Sequence, residues 1–175
     1  VKKIVSASLK IKIPIITFFV FSTENWKRPK SEIKFLFNLV KSYFEKEIES
    51  IISNGIRINI IGNSSNLPKF LREILKKVTK STNKNKKIIV NLALNYGSKE
   101  EIKTSFMQIF KNNEKITVSN IKKNLYTKKI PDPDILVRTG GQKRLSNFML
   151  WQLAYAEIYF INKLWPDFDI TDLNK

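Results

Sequence analysis

The 175-residue chain is 42% apolar and 11% aromatic, enough for one domain with a buried core, and it carries a formal charge of +17. It contains no cysteine and no histidine, which excludes disulfides, thiolate zinc sites, a thiol nucleophile and the commonest general base. Acid–base or metal chemistry therefore falls to carboxylates, amides, hydroxyls, lysines or the ligand itself.

A weak helical pattern over 2–12 (Ile4, Val5, Leu9, Ile11) is ended by Pro14. Residues 15–21 form a near-continuous apolar run of strand length, as expected in a parallel sheet buried on both faces. A polar loop, Ser22-Thr-Glu-Asn-Trp-Lys-Arg-Pro29, follows at the C-terminal end of that strand. Ligands bind at such ends in open parallel sheets. Ser31 is expected to cap a helix running to about Ser53 and stopping at Asn54-Gly55. Its apolar stripe (Ile33, Phe37, Val40, Phe44, Ile48, Ile51) is widened by Leu36, Leu39 and Tyr43. Such a stripe is either core or, in part, the wall of an apolar groove for a greasy ligand.

A second strand is expected over 56–61, ending at Gly62, and a helix over 67–79 with Pro68 in its first turn. A third strand, 88–94, ends in Asn95-Tyr-Gly97. Ser98 and Glu101 have capping-box spacing, and a helix should run to about Lys111. A short helix follows over 119–125. The segment Pro131-Asp-Pro-Asp134 is rigid and leads into a strand, Ile135 to Val137. A helix over 146–155, a strand over 158–161 and an aromatic turn, Leu164-Trp-Pro-Asp-Phe168, complete the chain. Strands alternate with helices, which predicts a single α/β domain with a mostly parallel central sheet and helices on both faces.

The stretch after Val137 has the chemistry of an anion site. Arg138 stands at a strand end, Gly140 and Gly141 allow a sharp turn, Lys143 and Arg144 add charge, and Ser146 is placed to cap the next helix. Free N–H groups, a helix dipole and an arginine fork suit a phosphate or diphosphate. An ordinary strand-turn-helix connection with solvated cations is the plainer reading. Only five of the 32 cations are arginines, and Arg28, Arg138 and Arg144 fall beside turns after apolar strands. The lysines are scattered, without an aromatic-interleaved basic stripe, so a nucleic-acid partner is not expected. The surplus charge should still attract anionic ligands or lipid surfaces. No apolar run reaches spanning length, and the start does not read as a signal peptide.

Four stretches together resemble the cis-prenyltransferase family, in its bacterial undecaprenyl diphosphate synthase branch. They are 21–29, Asn91-Leu-Ala-Leu-Asn-Tyr-Gly97, the run from Pro131 through Arg138-Thr-Gly-Gly to Glu157, and 164–168. The resemblance covers nearly the whole chain. It implies a Mg²⁺-dependent enzyme that condenses isopentenyl diphosphate onto farnesyl diphosphate with cis double bonds. The product would be a long-chain polyprenyl diphosphate such as undecaprenyl diphosphate, the cell-wall lipid carrier. It also implies a cytoplasmic homodimer touching the membrane surface peripherally for product release. By resemblance, Arg138, Arg144 and Ser146, with Leu145 between them, hold the diphosphate of isopentenyl diphosphate. Ser22, Thr23, Glu24, Asn25, Trp26 and Arg28 match the substrate loop. Asn25 is the candidate for steering proton loss, and as an amide it suits positioning better than proton abstraction. Trp26 and Phe21 can shield an allylic cation. Glu157 matches a metal-binding carboxylate that works across a dimer interface, and Glu32 matches a carboxylate after the loop. The stripe of the helix over 31–53 matches the tunnel wall.

The resemblance also has departures. The family's first strand and its Asp-Gly-Asn-Gly-Arg-Trp-Ala loop, which holds the allylic diphosphate and the main Mg²⁺ carboxylate, precede the matched region, and Val1 is expected of a fragment. The family's basic C-terminal tail lies beyond the match, and Gln142 replaces the family's usual Glu. A catalytically inactive truncated copy or partner subunit of the same fold is the alternative.

Overall fold

The apolar run beginning at Ile88 forms a strand with a parallel neighbour on each side. The computed structural model describes residues 1–173, which fall into two units, Val1–Tyr96 and Gly97–Lys175. In the first unit β1 (Ile15–Ser22), β2 (Ile56–Ile61) and β3 (Ile88–Tyr96) form a parallel sheet in the order β1-β3-β2. The central strand β3 is buried almost throughout, as expected for a parallel strand covered on both faces. α1 (Lys2–Lys10) and α2 (Lys30–Ser53) pack against the face bearing Ile58, Val90 and Leu92. α3 (Lys69–Thr82) buries Leu71, Leu75 and Val78. Its Thr82 Oγ1 accepts the Ile58 N–H at 3.1 Å, fixing the helix to β2.

The opposite face of this sheet carries a row of polar side chains. Thr17, Asn91 and Asn59 are register partners across the three strands. Asn59 Nδ2 donates to Asn91 Oδ1 at 2.9 Å, and Asn91 Nδ2 donates to Thr17 Oγ1 at 3.1 Å. Because Asn91 is fully buried, a one-residue slip would strand its amide without partners, so the row pins the register.

Two irregularities shape the C-terminal edge of the sheet. Phe19 pairs with Ala93 and Phe21 with Leu94, so Val20 is an extra residue in β1. The bulge moves Phe21 onto the face that carries Leu92, where its ring meets Phe37 of α2 at 5.0 Å. One step later Ser22 pairs with Tyr96, which leaves Asn95 as an extra residue in β3. Asn95 is left-handed, with φ +48°. Gly62, at the end of β2 with φ +120°, passes so close to β3 that a Cβ there would lie 2.2 Å from the Leu94 carbonyl oxygen.

In the second unit α4 (Ser98–Lys111) and α5 (Val118–Asn124) bury Ile109, Ile121 and Leu125, with Trp151 packed on them. β4 (Ile135–Arg138) and β5 (Glu157–Phe160) form a two-stranded parallel sheet. A 3-10 turn, Trp165–Asp167, and a short α6, Ile170–Leu173, follow. The expected α/β class and parallel pairing are what the chain adopts, and each expected strand lies within two residues of its observed bounds at either end.

Three local expectations are corrected. The helix over 146–155 does not form. Ser146, Asn147 and Met149 have φ of +49°, +62° and +46°, and a left-handed residue cannot continue a right-handed helix. The segment bonds instead to the start of α4. Asn147 O accepts the Ser98 N–H, Asn147 Oδ1 accepts the Lys99 N–H, and Ser98 Oγ accepts the Leu150 N–H. Ser98 and Glu101 therefore make no capping box. The buried Glu101 carboxylate accepts from the Tyr126 N–H and Gln152 Nε2. Finally, Pro29 and not Ser31 stands at the N-cap of α2. Pro29 has no N–H to leave unpaired, so it costs nothing at a helix start.

Candidate active site

In the first unit the loop after β1 folds on itself. Thr23–Lys27 is a 3-10 turn, and Asn25 Oδ1 accepts the Ser22 N–H at 2.9 Å. This closes the loop through the side chain of an amide, the usual role of Asn at a turn, and engages the Asn25 oxygen, not its NH₂. Ser22 is buried, Thr23 and Asn25 are half-buried, and Glu24, Trp26 and Arg28 are exposed. Thr23 Oγ1 donates to Glu24 at 3.1 Å. Arg28 pairs with Glu32 one helical turn on at 2.7 Å, with both side chains half exposed. Such a surface pair contributes only about 0–1 kcal/mol, so Arg28 can exchange Glu32 for a stronger anion at little cost.

The aromatic side of the loop is more firmly held. Trp26 stands edge-to-face against Phe21 at 5.2 Å and Phe37 at 5.7 Å. Its Nε1 donates to Asn95 Oδ1 at 2.7 Å. Elsewhere in this unit α1, α2 and the sheet line a partly open apolar cavity of about 80 Å³, with Val5, Leu9, Phe44, Ile51, Ile58 and Leu92 among its walls. Phe44 and Ile51 are buried members of the expected stripe and also line this cavity. An ion pair, Lys2–Glu47 at 2.6 Å, ties α1 to α2 beside it.

In the second unit Arg138 ends β4 and is half-buried. It donates from one terminal nitrogen to Ser146 Oγ at 3.1 Å. Its Nε–H is buried and has no partner. Burial, and then the positive charge of Arg144, lower the pKa of Arg138 from its ordinary value. Among the described residues neither guanidinium is paired with a carboxylate. Arg144 and Ser146 are exposed and Leu145 is half-buried. Two neighbouring cations, a hydroxyl and an unspent buried donor are groups that can bind an anion.

Two expected components of an anion site are absent. The Gly140 and Gly141 N–H groups are spent on the carbonyls of Lys163 and Ile161 at 2.9 and 3.0 Å. No helix begins at Ser146, so no helix dipole contributes. The glycines serve the turn alone, at φ +83° and +69°.

Glu157 is exposed at the start of β5. Among the described residues no group of three Asp or Glu side chains is gathered for a metal, so Glu157 alone does not make a metal site. The structure brings Ser22, Thr23, Glu24, Asn25, Trp26 and Arg28 together in the first unit, and Arg138, Arg144, Leu145 and Ser146 in the second. Sequence reasoning missed Asn95 and Asn147. Each is an Asn in the left-handed region, and a left-handed Asn has no periodicity to betray it. No helix among the described residues is long and apolar enough to cross a membrane.

The whole chain, residues 1–175, matches the prenyltransferase family model described as "Putative undecaprenyl diphosphate synthase". It is 41% identical to an isoprenyl transferase of Oceanobacillus iheyensis, over 97% of this chain and 70% of the relative. It is also 41% identical to an isoprenyl transferase of Clostridium tetani, over 100% and 71%. Among solved structures it is similar to a probable undecaprenyl diphosphate synthase from Campylobacter jejuni, with TM-score 0.91 and 35% identity, covering 99% of this chain and 82% of that one. Lavandulyl diphosphate synthase from Lavandula x intermedia, solved with dimethylallyl diphosphate, gives TM-score 0.94 at 30% identity, over 99% and 78%.

Proposed function

Because this chain belongs to the undecaprenyl diphosphate synthase family of isoprenyl transferases, we propose that it condenses isopentenyl diphosphate onto an allylic diphosphate, farnesyl diphosphate, to build a long-chain polyprenyl diphosphate. The observation that supports this most is the receptor around Arg138. It holds a buried unpartnered Nε–H and two guanidinium groups unpaired with any carboxylate. That combination is unfavourable until an anion with several oxygens arrives, and a diphosphate is such an anion.

In the proposed reaction the allylic C–O bond breaks and diphosphate leaves. The terminal alkene carbon of isopentenyl diphosphate bonds to the allylic carbon. A proton is then lost to give the new cis double bond. Asn25, whose oxygen is engaged by the Ser22 N–H, is proposed to act through its NH₂ as a positioning donor. Free diphosphate is the better proton acceptor. Trp26, backed by the buried Phe21, offers a ring face that can stabilise a developing cation without reacting with it. The growing chain is proposed to enter between α1 and α2. The cavity there is smaller than the roughly 300–1,000 Å³ of a typical ligand site, so α1 and α2 must part as the chain lengthens.

Mg²⁺ is proposed as a cofactor of the assembled enzyme, with Glu157 as one ligand. A homodimer is proposed from the apolar surface at β5, where Tyr155 is fully exposed and Tyr159 is 52% exposed. Peripheral contact of a cytoplasmic enzyme with an anionic membrane, for release of a cell-wall lipid carrier, accords with the net charge of +17.

The test is incorporation of labelled isopentenyl diphosphate onto farnesyl diphosphate with Mg²⁺, with the product sized by chromatography. A ladder of long cis products is expected. A single short product would refute the chain-elongation reading. No transfer by the folded dimer would favour the inactive partner subunit.

A further inference from the structure

Asn95 is a bulge residue with a task, and its surroundings show what the task is. It is the extra residue of β3 opposite Ser22 and has φ +48°. A non-glycine residue there is strained, and Asn tolerates the conformation better than most. Bulges beside functional sites re-aim a side chain. Here the bulge aims an amide that is 5% exposed across the strand ends. Its Oδ1 accepts from Trp26 Nε1 at 2.7 Å, and its Nδ2 donates to Asn63 O at 2.7 Å. Asn63 N–H in turn donates to Asn95 O at 3.2 Å. Both ends of the amide and its own carbonyl are therefore engaged. The loop after β1 is fastened through one indole to the end of β3 and the residue following Gly62.

We propose that Asn95 is a positioning residue that acts through Trp26, setting the indole against Phe21 and Phe37 and so fixing the substrate loop Ser22–Arg28 for catalysis. This rests on the prenyl-transfer reading of that loop. Without the amide, Trp26 keeps its ring contacts but loses the bond that selects one orientation of the indole. Small misplacements at a reacting centre cost on the order of ten- to hundred-fold in rate.

The test has one arm that needs no catalysis. The chain has three Trp, so a ¹⁵N–¹H spectrum shows three indole resonances, and Trp26→Phe assigns one. Asn95→Gly accepts φ +48° without strain but removes the side-chain acceptor, whereas Asn95→Asp keeps an acceptor oxygen. The Trp26 resonance should move and exchange faster with solvent in Asn95→Gly, and stay hydrogen-bonded in Asn95→Asp. In the prenyl-transfer assay Asn95→Gly should lower kcat about ten-fold or more with little change in the KM for isopentenyl diphosphate. Asn95→Asp should recover part of the loss, and the Asn95→Gly/Trp26→Phe double variant should be no worse than the poorer single. An unmoved Trp26 resonance in Asn95→Gly, or fully multiplicative losses in the double variant, would overturn the proposal. If the unaltered protein shows no transfer, the reading of function fails while the indole spectrum still decides the role of Asn95.

Discussion

Replacing Arg138 by alanine separates a binding cation from a structural one, because the first role predicts little change in stability and the second a large loss. The guanidinium is half-buried, repelled by Arg144, bonded only to Ser146 Oγ, and left with one buried donor unpaired. Removing it relieves a desolvation cost and a like-charge contact. It forfeits one hydrogen bond to a hydroxyl, which contributes about 0.5–1.5 kcal/mol when neutral and up to about 3 kcal/mol when charged. These terms nearly cancel, so thermal unfolding of Arg138→Ala without ligand should shift by only a few degrees in either direction. Ligand binding should respond quite differently. A charge-assisted bond contributes about 1.5–3 kcal/mol, which is roughly a 10- to 150-fold change in affinity. The KM for isopentenyl diphosphate should rise by that factor while kcat changes less. Arg138→Lys should fall between, keeping the charge but losing the fork. Calorimetric titration with inorganic pyrophosphate gives the same comparison without turnover. A large loss of stability together with an unchanged KM would show that Arg138 is there for the fold, and the anion receptor would be refuted.

Other residues give sharper local tests. Asn25→Ala should lower kcat more than it raises KM. Asn25→Asp, which can still accept the Ser22 N–H, should restore thermal stability more than turnover, and equal recovery of both would count against a positioning donor. Gly62→Ala must displace β2 from β3, since its Cβ would lie 2.2 Å from the Leu94 carbonyl oxygen at a φ of +120°. A drop in the unfolding midpoint larger than that of any surface Gly→Ala change is expected, and an unchanged melt would contradict the observed strand spacing. Lys163 bonds to both Asp169 and Asp172. Its hydrogen bond to Asp172 leads in raising its own pKa. Asp169 is lowered mainly by the Thr171 hydroxyl, and Asp172 mainly by Lys163. Depressed carboxylates contribute stability above their unfolded pKa of about 4 and lose it as pH falls through the folded values. The raised lysine contributes below about 10.4 and loses its share as pH rises through its folded value. Amide protection over 163–172, taken relative to the intrinsic exchange rate at each pH, should thus be greatest at mid-range pH and fall at both extremes. A loss of protection between pH 6 and 8 would refute this.

Periodicity carried most of the fold. Ile15 to Phe21 and Ile88 to Leu94 are strands because apolar, β-branched and aromatic residues run almost continuously where a parallel sheet is covered on both sides, and Ile56 to Ile61, at the edge of the sheet, was legible from its alternation with Arg57 and Asn59. α2 was legible from its stripe, and its buried members, Ile33, Phe37, Phe44 and Ile51, belong to that stripe. The loop after β1 was legible as a candidate binding loop, because polar residues follow a parallel strand at the end where ligands bind, while the roles of its single residues came from the family resemblance. The helix over 146–155 was misread for the opposite reason. Phe148, Met149, Leu153 and their neighbours are apolar enough to suggest a helix, but Phe148, Met149 and Leu153 are buried from a chain of turns instead. What decides the matter is long-range. The N–H groups at the start of α4 need acceptors, and Asn147 supplies them from fifty residues away in sequence.

The same kind of exception shapes the loop after β1. If β1 and β3 were regular, Phe21 would share a face with Phe19, and Asn95 would take an ordinary place in the ladder. The extra residues at Val20 and Asn95 break both alternations within two register steps. The first sends Phe21 to Phe37, and the second turns Asn95 to Trp26 while leaving Tyr96 edge-to-face with Phe19 at 6.1 Å. Neither bulge follows from residue type, because Val is at home in a regular strand and Asn is found at any strand end. Each is selected by packing across the strand ends: an aromatic cluster that needs a third ring, and an indole N–H that needs an acceptor once it is drawn into that cluster. Residue identity therefore marks the loop as a candidate, and the aim of its side chains is set by where the strands stop being regular.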